Sequence, residues 1–168
     1  MRRSALSCVF LLFPLLPAGC SSTGPDGPPP PTTSPVSGVI LIDGEPLSKM
    51  AAIELKLYPK GRVPKPEERI PKCVVGRDGK FAFSAYRDGD GAEPGEYVIS
   101  AEMLRISISG MMGPDGLGNN FNSPFNEDPR FQVKVVEGEP TELPTIDINT
   151  NELEPQPMHP LASRPGKT

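Results

Sequence analysis

Apolar residues fall in short runs along this chain, and the spacing inside each run predicts its structure. A block at 5–16, broken only by Ser7 and Pro14, is followed at 21–35 by a stretch with no apolar side chain larger than proline. From Val36 onward, short apolar runs are separated by turn signals. Residues 36–42 (VSGVILI) form the first run, ended by Asp43-Gly44-Glu45-Pro46. In 52–58, Ile53, Leu55 and Leu57 alternate with Glu54, Lys56 and Tyr58, the period of a strand with one buried face. Further strands are predicted at 73–76, at 80–86 with Phe81, Phe83 and Ala85 inward, at 96–104, at 131–136 and at 143–148. In 96–104 the pattern puts Tyr97, Ile99, Ala101 and Met103 on one face and Val98, Ser100, Glu102 and Leu104 on the other, with Ile106 and Ile108 as an extension. Residues 59–71 and 109–130 read as loops. No stretch keeps a helical period, and 23 prolines disfavour long helices. The expectation is all-β: a single antiparallel seven-stranded β-sandwich over 36–148, with Asp-Gly turns reversing the chain between paired strands.

The ends have a different character. Arg2 and Arg3 precede the apolar block, and Pro17-Ala18-Gly19-Cys20 follows it, the order of a targeting segment too short to remain as a membrane span. Small residues directly before a cysteine resemble the lipobox of bacterial lipoproteins, which implies cleavage after Gly19 and a lipid on Cys20. The pattern departs from that family at Pro17, where leucine is usual; Leu16 stands one place further out. The other reading is an ordinary secretory signal with Cys20 as a bystander. Ser21 fits outer-membrane sorting in a diderm cell, facing the periplasm or the cell surface. Residues 1–19 are thus expected to be a signal peptide, 20–35 a lipidated cysteine and extended proline-rich tether, and 149–168 a loose tail.

Composition removes several functions. The formal net charge of −4 becomes more negative once Arg2 and Arg3 leave, so no clustered cations are available for nucleic acid. Cys8 lies in the signal and Cys20 takes the lipid, which leaves Cys73 as the one thiol and permits no internal disulfide. In its apolar setting Cys73 is expected to act as a small hydrophobe. One thiol and one histidine, His159, do not make a zinc site, and no cofactor is expected.

An ordered set of residues points to a family. Ser37-Gly38-Val39, Asp43-Gly44-Glu45-Pro46-Leu47, Ile53-Glu54-Leu55, Gly76-Arg77-Asp78-Gly79-Lys80-Phe81 and Pro94-Gly95-Glu96-Tyr97 occur in that sequence. Together they resemble the carboxypeptidase regulatory-like, or transthyretin-like, β-sandwich of small bacterial lipoproteins. The resemblance covers roughly residues 36–148 and implies a non-catalytic accessory or interaction module. The histidines and C-terminal signature of that fold's hydrolytic branch have no counterpart here.

Three local patterns remain as candidate chemistry. Asp88-Gly89-Asp90-Gly91-Ala92-Glu93 begins like a calcium loop, but Ala92 falls at the fifth position and Glu93 at the sixth, where the EF-hand needs a ligand and a glycine. An irregular site of Asp88, Asp90 and Glu93 stays open as a metal candidate. The segment from Met111 and Met112 to Phe121 and Phe125 offers soft apolar side chains on a long loop, either a contact surface or a cover for the open end of the core. With no tryptophan, Tyr58, Tyr86 and Tyr97 are the aromatic groups available to a carbohydrate. No Gly-x-Ser-x-Gly elbow and no histidine within the domain supports a hydrolase. The expected function is a non-enzymatic envelope lipoprotein, held to a membrane at Cys20, whose sandwich binds or supports an envelope protein or glycan. A calcium- or carbohydrate-binding accessory domain is the alternative, and a hydrolase the least favoured.

Overall fold

The period-two runs fold as strands of two four-stranded sheets facing each other across one core. The computed structural model describes residues 30–47, 51–105 and 113–157, without the side chain of Arg105. The strands are β1 (Val36–Ile42), β2 (Ala51–Pro59), β3 (Lys72–Val74), β4 (Lys80–Ala82), β5 (Gly95–Arg105), β6 (Gln132–Val135), β7 (Thr141–Glu142) and β8 (Ile146–Ile148), with 3-10 turns at Pro129–Phe131 and Thr150–Glu152. One sheet, in the order β3-β2-β5-β6, is antiparallel throughout. In the other, β1 lies between antiparallel β4 and the successive strands β7 and β8, which both run parallel to it.

The predicted class holds, with two corrections. The strand expected at 143–148 is only β8 at 146–148, and a separate short strand, β7, precedes it at 141–142; Pro144 has no N–H to continue the ladder after Leu143 N donates to Ser37 O. These strands are parallel to β1, not antiparallel, because β6 delivers the chain to the end of the sandwich where β1 begins. The short turn at 136–140 leaves no length to cross to the far end first.

The turns also behave differently from the expectation. Asp43 and Gly44 adopt φ values of 54° and 79°, and Ile42 and Glu45 exchange backbone hydrogen bonds across them. Yet β1 and β2 belong to different sheets, as do β3 and β4 on either side of Asp78-Gly79. A tight turn reverses the chain without choosing its partner: Gly79 O accepts from Ile40 N at 2.8 Å, so β1 captures the chain leaving that turn.

The core is built from the faces the alternation predicts. Ile53, Leu55, Leu57, Ile99, Ala101 and Met103 from one sheet meet Val36, Ile40, Phe81, Ile146 and Ile148 from the other, all buried. Phe81 and Phe83 pack edge to face at 5.6 Å, and Gly38 makes room for Phe81: a Cβ there would stand 2.8 Å from its Cζ. Tyr97 is only half-buried, and its hydroxyl donates to Glu93 O at 2.9 Å.

Three segments expected to be loose are fastened down. Ser34, assigned to the tether, is fully buried: it exchanges backbone bonds with Ala92, and its Oγ accepts from Gly138 N. The tail is held as far as it is described. Thr150 donates from its N and Oγ1 to the Asp43 carboxylate, Leu153 packs on the core, and Glu154 O and Gln156 O accept from Asn120 and Asn119. The loop before β6 runs along the edge of β5 that β6 leaves uncovered, where Ala101 N donates to Phe121 O and Met103 N to Asp115 Oδ1. Val98, predicted on the outer face, is buried and shares a groove with Pro124 and Phe125; Ser100 is buried as well.

Candidate functional site

The acidic stretch after β4 is a built turn. Asp90 is half-buried; its Oδ1 accepts from Ala85 N at 2.7 Å, and its Oδ2 accepts from Arg87 N at 2.9 Å and Tyr86 N at 3.0 Å. Burial by itself raises the carboxyl pKa, but the N–H groups of Ala85, Arg87 and Tyr86 outweigh it and hold Asp90 below the usual range. Glu93 Oε1 accepts from the Tyr86 hydroxyl at 2.8 Å, and Asp88 is exposed. Asp90 and Glu93 therefore serve different partners while Asp88 is exposed, and among the described residues no group of three metal-ligating side chains forms. The segment is also held in place by its backbone: Gly91 N donates to Phe83 O, and the φ of +81° at Gly91 lays its backbone against Ser34, where a Cβ would overlap the Ser34 carbonyl.

Other expected residues separate in the same way. Phe121, a candidate contact residue, is buried and stacked on Phe131 at 4.8 Å, so it covers the core; Phe125, 43% exposed, is the outward aromatic of that loop. Met111 and Met112 lie outside the described residues, as do Cys20, the 1–19 signal, Ile106, Ile108 and His159. Cys73 stands in β3 with its thiol pushed up to about 12, by burial first and then by the charge of Glu54, the state of an inert packing group. Among the described residues no helix is long and apolar enough to cross a membrane.

What the fold does gather is a pair of clefts at the end where the chain enters. The 59–71 loop is stapled by a bidentate Arg62–Glu68 pair at 2.6 and 2.7 Å, whose hydrogen bonds lower the Glu68 pKa, and Lys60 N donates to Glu96 O. This loop faces the 85–95 turn across a cleft of about 340 Å³ that contains Arg69, Glu93, Glu96 and Tyr97. Arg69, Ile70 and Ala85 also line a second groove of about 470 Å³, completed by Lys56, Tyr58, Lys72 and Ser84. The Arg69 guanidinium lies over the Tyr86 ring, 5.3 Å from its centroid, and donates to Ala85 O at 3.3 Å. The hydrogen bond to Glu93 raises the Tyr86 pKa, and burial raises that of Tyr97, so both phenols stay neutral donors over the physiological range. All three tyrosines singled out in the sequence thus gather around Arg69. Arg69, Lys56 and Lys72 are not adjacent in sequence: strand register pairs Lys56 with Lys72, and the fold of the 59–71 loop brings Arg69 to the same groove.

The fold defines the protein as a two-sheet β-sandwich. No protein-family model matches the sequence, and neither does any curated protein. Solved structures with some similarity include BcpA*(D312A), the major pilin subunit of Bacillus cereus, at 17% identity and a TM-score of 0.39, covering 71% of this chain and 30% of that one. A 9R-lipoxygenase from Cyanothece PCC8801 matches at 13% identity and a TM-score of 0.34 over 70% of this chain and 16% of its own. The chain therefore spans less than a third of either structure.

Proposed function

We propose that this chain is an exported lipoprotein whose carboxypeptidase regulatory-like β-sandwich is a non-catalytic binding or structural module at the cell envelope. One arrangement carries the reading: a lipobox-like Pro17-Ala18-Gly19-Cys20 is followed by a proline-rich run that leads directly into the fold at the buried Ser34. A proline-rich composition of this kind suits a tether that holds the sandwich clear of a bilayer surface. The two clefts around Arg69 lie at the end of the sandwich where Ser34 pairs with Ala92. Asp90 and Glu93 serve as hydrogen-bond acceptors for the backbone and Tyr86, which favours a structural role for them over a calcium site or a catalytic pair.

The test is the mature N-terminus. Intact-mass and peptide analysis of the protein extracted from membranes should show a chain that starts at Cys20 and carries a diacylglycerol thioether. It should partition into the detergent phase, and a C20S variant should move to the soluble fraction. A free Cys20 thiol, or a mature chain that begins beyond it, overturns the anchored reading.

A further inference from the structure

We infer that the groove between β2, β3 and Arg69 is a binding site for an acidic oligosaccharide, a chain of sugars bearing carboxylate, sulfate or phosphate groups. This names a ligand for the binding module proposed above; it rests on the sandwich being such a module and is independent of the lipid anchor. The carrying observation is a strand register that places like charges opposite one another. Lys56 on β2 pairs directly with Lys72 on β3, and the opposed side chains of an antiparallel pair share a face. Arg69 enters the same groove, which no carboxylate lines. Glu54 answers Lys56 at 3.0 Å, while Lys72 and Arg69 stand in no ion pair among the described residues. Three cations converge on a protein whose formal net charge is −4, an arrangement that costs folding free energy and is relieved by a bound anion.

The shape and the neighbouring chemistry choose a sugar chain over a small ion or a lipid headgroup. Arg69 is oriented in advance by the Tyr86 ring and Ala85 O, and its remaining N–H groups are left for a bidentate acid. Tyr58 sets an aromatic face among the cations. The adjoining cleft, which shares Arg69, Ile70 and Ala85, adds Tyr97 with Glu93 and Glu96, acceptors suited to sugar hydroxyls and repellent to an anionic bilayer. The two grooves together accept an extended ligand with its acid group at Arg69 and neutral, hydroxylated rings on either side.

The full chain, purified in detergent, is titrated by calorimetry with oligogalacturonate and dextran sulfate, with neutral dextran and phosphatidylglycerol vesicles as comparisons. Saturable binding of at least one acidic saccharide is expected, weakening as salt rises, with neutral dextran and vesicles at least tenfold poorer. R69Q and K72E should each lose tenfold or more, whereas K134A, on β6 at the opposite edge of the sheet, should bind as wild type does. K72E should also melt higher than wild type, because it replaces a like-charged cross-strand pair with an opposite one. Preferential binding to vesicles, equal binding of neutral dextran, equal losses in K134A and R69Q, or no binding of either acidic saccharide overturns the inference. Each of these outcomes leaves the mass of the mature N-terminus unaffected, so the two proposals fail separately.

Discussion

Asp90→Asn tests whether the acidic turn is architecture or a metal site. In the native turn the carboxylate spans three backbone donors, with Oδ1 on Ala85 N and Oδ2 on Arg87 N and Tyr86 N. An asparagine of the same shape has one oxygen. In one orientation it keeps Ala85 and turns its amide hydrogens toward two backbone donors; in the other it keeps those two and leaves the N–H of the buried Ala85 unpaired. Either way at least one charge-assisted hydrogen bond is lost and the survivors become neutral, a cost of about 1.5–3 kcal/mol. Because the folded-state pKa of Asp90 is depressed, its contribution is fully present above the unfolded value of about 3.9 and is lost as the pH falls through the folded value. Urea unfolding of wild type and variant, followed by circular dichroism at pH 7 and again at pH 3, should show the gap at neutral pH and a smaller one in acid. A gap below about 0.5 kcal/mol at pH 7, or a calcium-dependent rise in wild-type Tm that the variant lacks, would refute the reasoning.

Two further outcomes follow from the packing. Gly91→Ala forces a Cβ into the Ser34 carbonyl at a φ of +81°, and should cost about 3 kcal/mol or more in the same unfolding measurement; a near-neutral result would mean that the entry of the chain at Ser34 is not fixed as described. Cys73, with its thiol at about 12, should resist iodoacetamide at pH 8 in the native protein and react on unfolding, where the value returns to about 8.5. Since burial raises the folded value, the same group should stabilise the fold fully below about 8.5 and progressively less as the pH climbs toward 12; native labelling at the rate of a free thiol would contradict both.

Much of the sandwich is legible in the chain because alternation is a local property. Ile53, Leu55 and Leu57 are buried as their spacing requires, and β1 has the bounds expected of it. Local signals misled where a neighbour distant in sequence decided the outcome. Val98 and Ser100 sit at outward positions of β5 and are nevertheless buried, Val98 beside Pro124 and Phe125 of the returning loop. The polar stretch at 88–93 has the composition of a solvated loop, yet Asp90 gathers its backbone and Ser34 arrives to pair with Ala92. Among the candidate residues, the tyrosines were visible as residue types, whereas the cations beside them were not.

The sequence by itself determined the class of fold, the buried faces of its main strands and the positions of its Asp-Gly turns, because each depends on residues within a few positions of one another. Only the tertiary structure decided that the Asp-Gly turns join strands of different sheets, that β7 and β8 run parallel to β1, and that Lys56, Lys72 and Arg69 share one groove. Strand partners and register are chosen by contacts between residues far apart in the chain, and a pattern of period two states which face is buried without stating against what.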